Sequence, residues 1–320
     1  MRLHCMNRTI KRCTLTILSG AALLFVGCDQ AVDRAVPTAS PPVVGPQADL
    51  SASDLVQQLL LKFEPVSDGT PTLDDPPPSG TTIHVVDRDN KDGWKIGVST
   101  GGMVTFDNET SCDATAGPPL PPGALHLMVF PGDGFARLRD TRYHRTYLRD
   151  LTRLDYYACD EMNNLQQWPY IILNIDWNGD NVIDDLIFFE PAYQNGTEGG
   201  TCGAVSAQGP ELPQKWQFWD ALKPAAGAFL ACYWALSSPF VGGTGTAGCG
   251  PGSNVCSLSD YITQHQNAAI INLDGNHGGV QIVHGFASPP DVFNGWVDAF
   301  TIGKNMNSSS STITYDFQAP

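Results

Sequence analysis

The sequence predicts an all-β domain over residues 81–320, a jelly-roll-type antiparallel β-sandwich with one short helix. Three observations lead there. From Thr81 onward, short runs rich in β-branched and aromatic side chains are broken by Gly, Pro, Asn and Asp, the texture of strands and turns. Only one segment reads as a convincing helix. No repeat with a period of about 20 to 50 residues asks for a propeller or solenoid. One core can serve a stretch of this length, so a single large domain is expected rather than two.

The segments ahead of the domain set its address. MRLHCMNRTIKRC carries four basic residues and no acid, and Leu15 to Gly27 follow without a charge. Thirteen residues are too few to cross a bilayer as a helix, which needs about 20. A basic start and a short apolar run make a secretory signal peptide over residues 1–27. The segment ends in LLFVGC, which resembles the bacterial lipoprotein signal, and the resemblance implies cleavage before Cys28 and lipidation of that cysteine. Residues 28–80 hold nine prolines and few aromatic residues. Such a composition cannot bury enough apolar surface to offset its ordering entropy, so it reads as a disordered tether. Within it, Ser53 can cap a short helix over 53–64, with Leu55, Leu59 and Phe63 at four-residue spacing.

The predicted strands are TIHVV (82–86), ALHLMVF (124–130), YIILNI (170–175), DLIFFE (185–190), KWQFW (215–219), AAIINL (268–273), GVQIVHGF (279–286), WVDAFTIG (296–303) and TITYDF (312–317). Strict alternation in WVDAFTIG puts Trp296, Phe300 and Ile302 on one face with Asp298. The helix is SLSDYITQHQ (257–266), where Ser257 and Asp260 are spaced as a capping box.

Cysteines and charge agree with export. Beyond the signal and Cys28 remain Cys112, Cys159, Cys202, Cys232, Cys249 and Cys256, an even number that suits disulfides in an oxidising compartment. No C-x-x-C pair suggests zinc. Without residues 1–27 the chain has 18 − 4 = 14 basic and 33 acidic residues, a net charge of −19. That surface repels nucleic acid.

NIDWNGDNVIDDLIFFE (174–190) carries the sharpest chemistry. Asp176, Asn178, Asp180 and Asp184 occupy positions 1, 3, 5 and 9 of a loop, with the Val182 carbonyl at position 7. Hard oxygen donors two residues apart can wrap a calcium ion as the backbone curls, each about 2.3 to 2.6 Å away. The spacing resembles the D-x-[DN]-x-D-x-x-x-D loops that join strands in calcium-binding β-proteins, and the resemblance implies a structural Ca2+. It is not an EF-hand, because position 12 is Ile187 where a bidentate glutamate is needed. The plainer reading is a turn whose carboxylates face water. Asp87, Asp89 and Asp92 form a second, less regular cluster beside KDG, an ordinary hairpin turn.

Six arginines crowd into FARLRDTRYHRTYLRDLTR, read as an arginine-rich strand: Arg137, Arg139, Arg142, Arg145, Arg149 and Arg153. They could recognise carboxylate or sulfate groups on a ligand. Asp140, Asp150 and Asp155 offer the alternative of internal ion pairs. In KWQFW alternation sets Trp216 and Phe218 against Trp219. Trp219, together with Trp177 inside the acidic loop, is a candidate platform for sugar rings.

No G-x-S-x-G elbow, H-E-x-x-H pair or phosphate-binding glycine loop occurs. Glu161, Glu190 and Glu211 are the carboxylates available for glycoside chemistry. Tyr143 and His144 offer a lyase alternative, as proton-transfer groups beside arginines that would neutralise a uronate.

The arginine-rich strand, acidic hairpin, Trp-rich strand and closing VDAFTIG…TITYDF pair resemble the jelly-roll, carbohydrate-binding-module-like domains of bacterial surface proteins. The expectation is a protein held to the membrane by its lipid, on the periplasmic or extracellular side, with a calcium-stabilised, non-catalytic domain for polysaccharide or another surface polymer. A lyase on an anionic polysaccharide and an adhesive protein that binds other proteins are the alternatives.

Overall fold

The structure is a computed structural model and describes residues 80–108, 112–113, 115–130, 134–162, 168–194, 208, 211–223, 233–237, 255–272, 278–285, 292–306 and 309–320. The signal peptide, Cys28, residues 28–79 with the 53–64 helix, and Cys202, Cys232 and Cys249 lie outside the described residues. In chain order the strands are β1 (Gly80–Val86), β2 (Trp94–Val98), β3 (Gly102–Asp107), β4 (Ala124–Val129), β5 (Phe135–Asp140), β6 (Leu151–Met162), β7 (Tyr170–Asp176) and β8 (Asp185–Phe189). There follow β9 (Gln217–Asp220), β10 (Tyr233–Leu236), β11 (Val255–Ser257), helix α1 (Leu258–Gln264), β12 (Ala269–Ile270), β13 (Val280–Gly285), β14 (Phe293–Met306) and β15 (Ser309–Phe317).

Two sheets form an all-β sandwich. In the first, β14 is the long central strand: β6 and then β9 lie along one side, and the other side is shared by β4 with β3 and by β15 with β1. The second sheet runs β11-β10-β8-β7-β13-β5-β2, with β12 also on β7. Among the described strands every pairing is antiparallel except β1 on β15. Strands remote in sequence are neighbours, since β14 separates β4 from β6 and β13 separates β5 from β7. That is the winding expected of a jelly-roll-type sandwich.

Between the sheets lie Leu125, Leu127, Val297, Phe300 and Ile302 from the first and Leu138, Ile171, Leu173 and Ile282 from the second, all buried. Each side chain of this kind contributes roughly 1.5–3 kcal/mol by leaving water. α1 starts with Ser257 as its N-cap: Ser257 Oγ accepts the Asp260 N–H at 3.2 Å and donates to Asp260 Oδ2 at 2.8 Å. Of the candidate cysteines, Cys112 and Cys159 form a disulfide, and Cys256 is also disulfide-bonded. No helix among the described residues is long and apolar enough to cross a membrane.

Two expectations are corrected. The arginine-rich run is not one strand: it breaks after Asp140, and β5 belongs to the second sheet while β6 belongs to the first. Asp140 Oδ1 accepts the Arg142 N–H at 2.8 Å, an Asx-type turn that competes with strand continuation. In β14, Trp296 does not share a face with Phe300 and Ile302. The register against β6 shifts between Asp298 and Thr301, where Ala299 takes φ +51°. This bulge sends Val297 and Phe300 into the core and leaves Trp296 on the opposite face, packed on Cys112, Ala124 and Cys159.

Candidate functional site

The acidic loop closes the β7–β8 hairpin at one end of the second sheet. Asp176, the last residue of β7, is fully buried and organises it. Its Oδ1 accepts the N–H groups of Asn178 (3.0 Å) and Gly179 (2.6 Å), and its Oδ2 accepts those of Asn181 (3.0 Å) and Arg145 Nη1 (2.9 Å). Asn178 Oδ1 accepts the Asp180 N–H and Asp180 Oδ1 the Val182 N–H, each at 2.8 Å, so each donor residue also folds the loop. Gly179 and Asn181 take left-handed φ of 86° and 68°, which glycine tolerates for want of a Cβ and asparagine through its short polar side chain.

Asp176, Asp180 and Asp184 each bring a carboxylate oxygen within 4.8 Å of the others. Among the described residues they are the one such group of three. A hard divalent ion fits this donor set, with Asn178 and the Val182 carbonyl in reach of the same turn by sequence. The electrostatics are uneven. Burial pushes the Asp176 pKa up, but the N–H groups of Gly179, Asn181 and Asn178 and the charge of Arg145 outweigh it and hold it below the usual carboxylate value. Asp184 is pushed up, by burial first and then by the neighbouring Asp180 and Asp176 charges. A bound cation would relieve that repulsion. Arg145 already relieves part of it, donating to Asp176 and, through Nη2, to the Gly179 carbonyl at 3.1 Å and to Asn181 Oδ1.

Trp177 follows Asp176 and is half-buried rather than displayed. Its Nε1 donates to Tyr261 Oη at 2.6 Å, its ring stacks on His265 at 4.2 Å, and Tyr261 in turn donates to Asp185 Oδ2 at 3.0 Å. Helix α1 therefore anchors the loop through Tyr261 and His265, which the sequence reading did not single out. Their i, i+4 spacing on a predicted helix was the available signal. On the other side Tyr147 bridges Ala269, which also pairs with Asp176, and the Arg149 guanidinium lies 4.4 Å over the Tyr147 ring. Arg145 and Trp177 thus belong to the acidic loop's own contacts, and the Tyr147–Arg149 pair lies one bridge away through Ala269.

The other predicted ligand residues do not join them. Arg137 and Arg139 point from β5 to the face of the second sheet away from Leu138 and are buried. Arg137 donates to Gln281 Oε1 at 2.9 Å, and Gln281 passes the chain to Asn174 at 2.6 Å. Arg142 turns inward: its Nε and Nη2 grip Asp140 at 3.0 and 2.6 Å, and Nη2 reaches Tyr315 Oη at 2.8 Å. Arg153 pairs with Asp155 on the first sheet. Two of these arginines therefore satisfy the ion-pair alternative through Asp140 and Asp155, and the six do not form one cleft. Trp219 is fully buried, because alternation in β9 sends it into the core and leaves Phe218, tilted against Tyr157, as the exposed aromatic.

The candidate catalytic groups also have partners of their own. Tyr143 is buried with its hydroxyl 2.9 Å from that of Tyr315, and burial pushes its pKa well above the usual phenol value. His144 Nδ1 accepts the Asn272 N–H at 3.0 Å. Glu161 is the penultimate residue of β6, Glu190 follows β8 with its pKa raised to about 7 by burial, and Glu211 precedes β9, so these carboxylates sit apart in the chain. The second aspartate cluster comes apart: Asp87 caps its own turn, while Asp92 pairs with His84 and Arg142. Comparison of the chain with known proteins returned no matching family model, no matching curated protein and no matching solved structure.

Proposed function

We propose that the chain is a lipid-anchored protein of a bacterial envelope whose sandwich is a non-catalytic module for a glycan or another surface polymer, steadied by calcium at the acidic loop. One observation carries this reading. The three gathered carboxylates of Asp176, Asp180 and Asp184 stand at the same end of the sandwich as a half-exposed Trp177–His265 stack and an exposed Tyr147–Arg149 pair. Aromatic faces beside fixed polar groups are what a sugar ring requires, since its C–H face packs on the ring while its hydroxyls take the hydrogen bonds. Asp176, Asp180, Asp184, Asn178 and the Val182 carbonyl would hold the calcium. When bound, the ion would supply charge neutralisation that fixes the loop and hence the seat of Trp177.

Binding of the chain to a glycan array, with calcium and again with chelator, tests the proposal. Retention that falls with chelator and in Asp176→Ala/Asp180→Ala supports it. Release of unsaturated or reducing sugar ends would replace it with the lyase alternative. Retention indifferent to calcium would remove the metal from the account. Cys28→Ser should move the protein from the membrane fraction to the soluble fraction, and unchanged fractionation would refute the anchor.

A further inference from the structure

We infer that His126 is held as an imidazolium whose two N–H groups clasp four strands of the first sheet, and that losing the proton loosens the β3–β4 edge. The clasp lies on the outer face, away from Leu125 and Leu127. His126 Nδ1 is 2.9 Å from Asp107 Oδ2 on β3 and 3.4 Å from Thr105 Oγ1, which itself donates to Asp107. On the other side Nε2 faces Asn294 Oδ1 of β14 at 2.5 Å, and Asn294 Nδ2 donates to Glu161 Oε2 of β6 at 2.7 Å. The ring stacks on Trp296 of β14 at 4.3 Å, and the His126 residue is buried.

The bonding pattern fixes the protons. A carboxylate only accepts, so Glu161 compels Asn294 to present its amide N–H there and its carbonyl oxygen to His126. That oxygen also only accepts, so Nε2 must carry a proton. Nδ1 faces the Asp107 carboxylate and must carry the other. A neutral ring has a single N–H and fails one side or the other. Flipping the Asn294 amide does not help, because it turns an oxygen onto Glu161. The groups facing the ring include Thr105 and Asp107 from β3, Asn294 and Trp296 from β14, and Glu161 from β6 through Asn294. From β13, on the other sheet, comes the field of His284, whose pKa is lowered to about 3 by burial first and by the His126 charge second. A cation over the Trp296 face gains further from the ring quadrupole. β3 pairs with β4 alone and β4 pairs with β14, so the clasp adds to that ladder a side-chain tie from β3 across to β14 and β6.

The test uses the whole chain and nitrogen-detected NMR of the His126 ring, assigned by the loss of its signals in His126→Gln. Both ring nitrogens are expected at imidazolium shifts at neutral pH, and a neutral tautomer there overturns the inference. Glu161→Gln lets the Asn294 amide flip, so the His126 midpoint should fall by about one pH unit, tenfold in the ionisation constant. An unmoved midpoint also overturns it. Amide exchange of β3 and β4, corrected for intrinsic base catalysis, should accelerate as His126 deprotonates in the unmodified protein. Protection that stays constant through that titration refutes the loosening.

Discussion

Arg142 and Arg145 lie three residues apart, and each grips an aspartate whose side chain is fully buried, yet the two pairs do different work. The Arg142 side chain is 16 % exposed, bidentate on Asp140, and tied through Tyr315 and Tyr143 to the opposite sheet. The Arg145 side chain is 35 % exposed and spreads over Asp176 and two oxygens of the acidic loop. The first is a largely buried charge pair whose network reaches the surface at Asp92. The second is one cation in a loop whose carboxylates could take another. The difference teaches that an arginine–aspartate contact acquires its meaning from what else the carboxylate serves, and from whether water or an ion can replace the guanidinium.

Removing the inner partner should do the most damage. Arg142→Ala leaves Asp140 buried and unpaired, and urea unfolding should show a loss of about 3–5 kcal/mol. Replacing both partners with apolar residues of similar volume should recover much of it, which a double-mutant cycle measures directly. A single Arg142 variant as stable as the parent would erase the contrast between the two pairs.

Asp176→Ala should cost less, about 1–3 kcal/mol, because the freed N–H groups of Gly179, Asn178 and Asn181 lie near the surface and can turn to water. The same aspartate sets the direction of the pH response. Its pKa is depressed on folding, so its contribution is complete above the ordinary carboxylate pKa and is lost as pH falls through the lowered value. Asp298 behaves in the opposite sense. Burial lifts it to about 7 against the N–H groups of Leu120, Ala299 and Phe317, so its contribution is present below about pH 4 and is lost as pH rises through 7. Denaturant titrations across pH should therefore show Asp176→Asn flattening the acid limb and Asp298→Asn flattening the limb near neutrality. Coincident profiles would show that loop and interior are not electrostatically distinct.

The smallest effect, and the one that bears on metal, concerns Arg145. In chelator, Arg145→Ala should lower stability by about 1 kcal/mol or less, as exposed pairs do. In calcium the loss should vanish and the calcium-induced rise in Tm should exceed that of the parent, because the ion no longer competes with a guanidinium for Asp176. Equal melting curves with and without calcium in both proteins would reduce the loop to a turn.

Most of the sandwich was legible because its strands are short, β-branched and punctuated by turn residues, and because Ser257 and Asp260 announce the helix. What was not legible depends on partners distant in sequence. Alternation cannot register one inserted residue, so the bulge at Ala299 inverted the side assigned to Trp296. A run of arginines looks like a recognition surface until Asp140 and Asp155 are seen to claim two of them and Gln281 a third. The acidic loop was readable because its donors are consecutive in the chain. The array from Asp107 through His126 and Asn294 to Glu161 draws on four strands and leaves no local trace. Trp219 was placed correctly opposite Phe218, but nothing local told which of the two faced water.

The pairing of β1 with β15 bears on mechanics. The described chain begins at Gly80, and all seven residues of β1 run alongside the last strand in the same direction, from Gly80 beside Ser311 to Val86 beside Phe317. A pull on Gly80 along the strand, with the rest of the domain held fast, loads that ladder in shear. Its rungs then share the force instead of opening one at a time as in an unzipped hairpin, so β1 is arranged to withstand tension applied along it at Gly80.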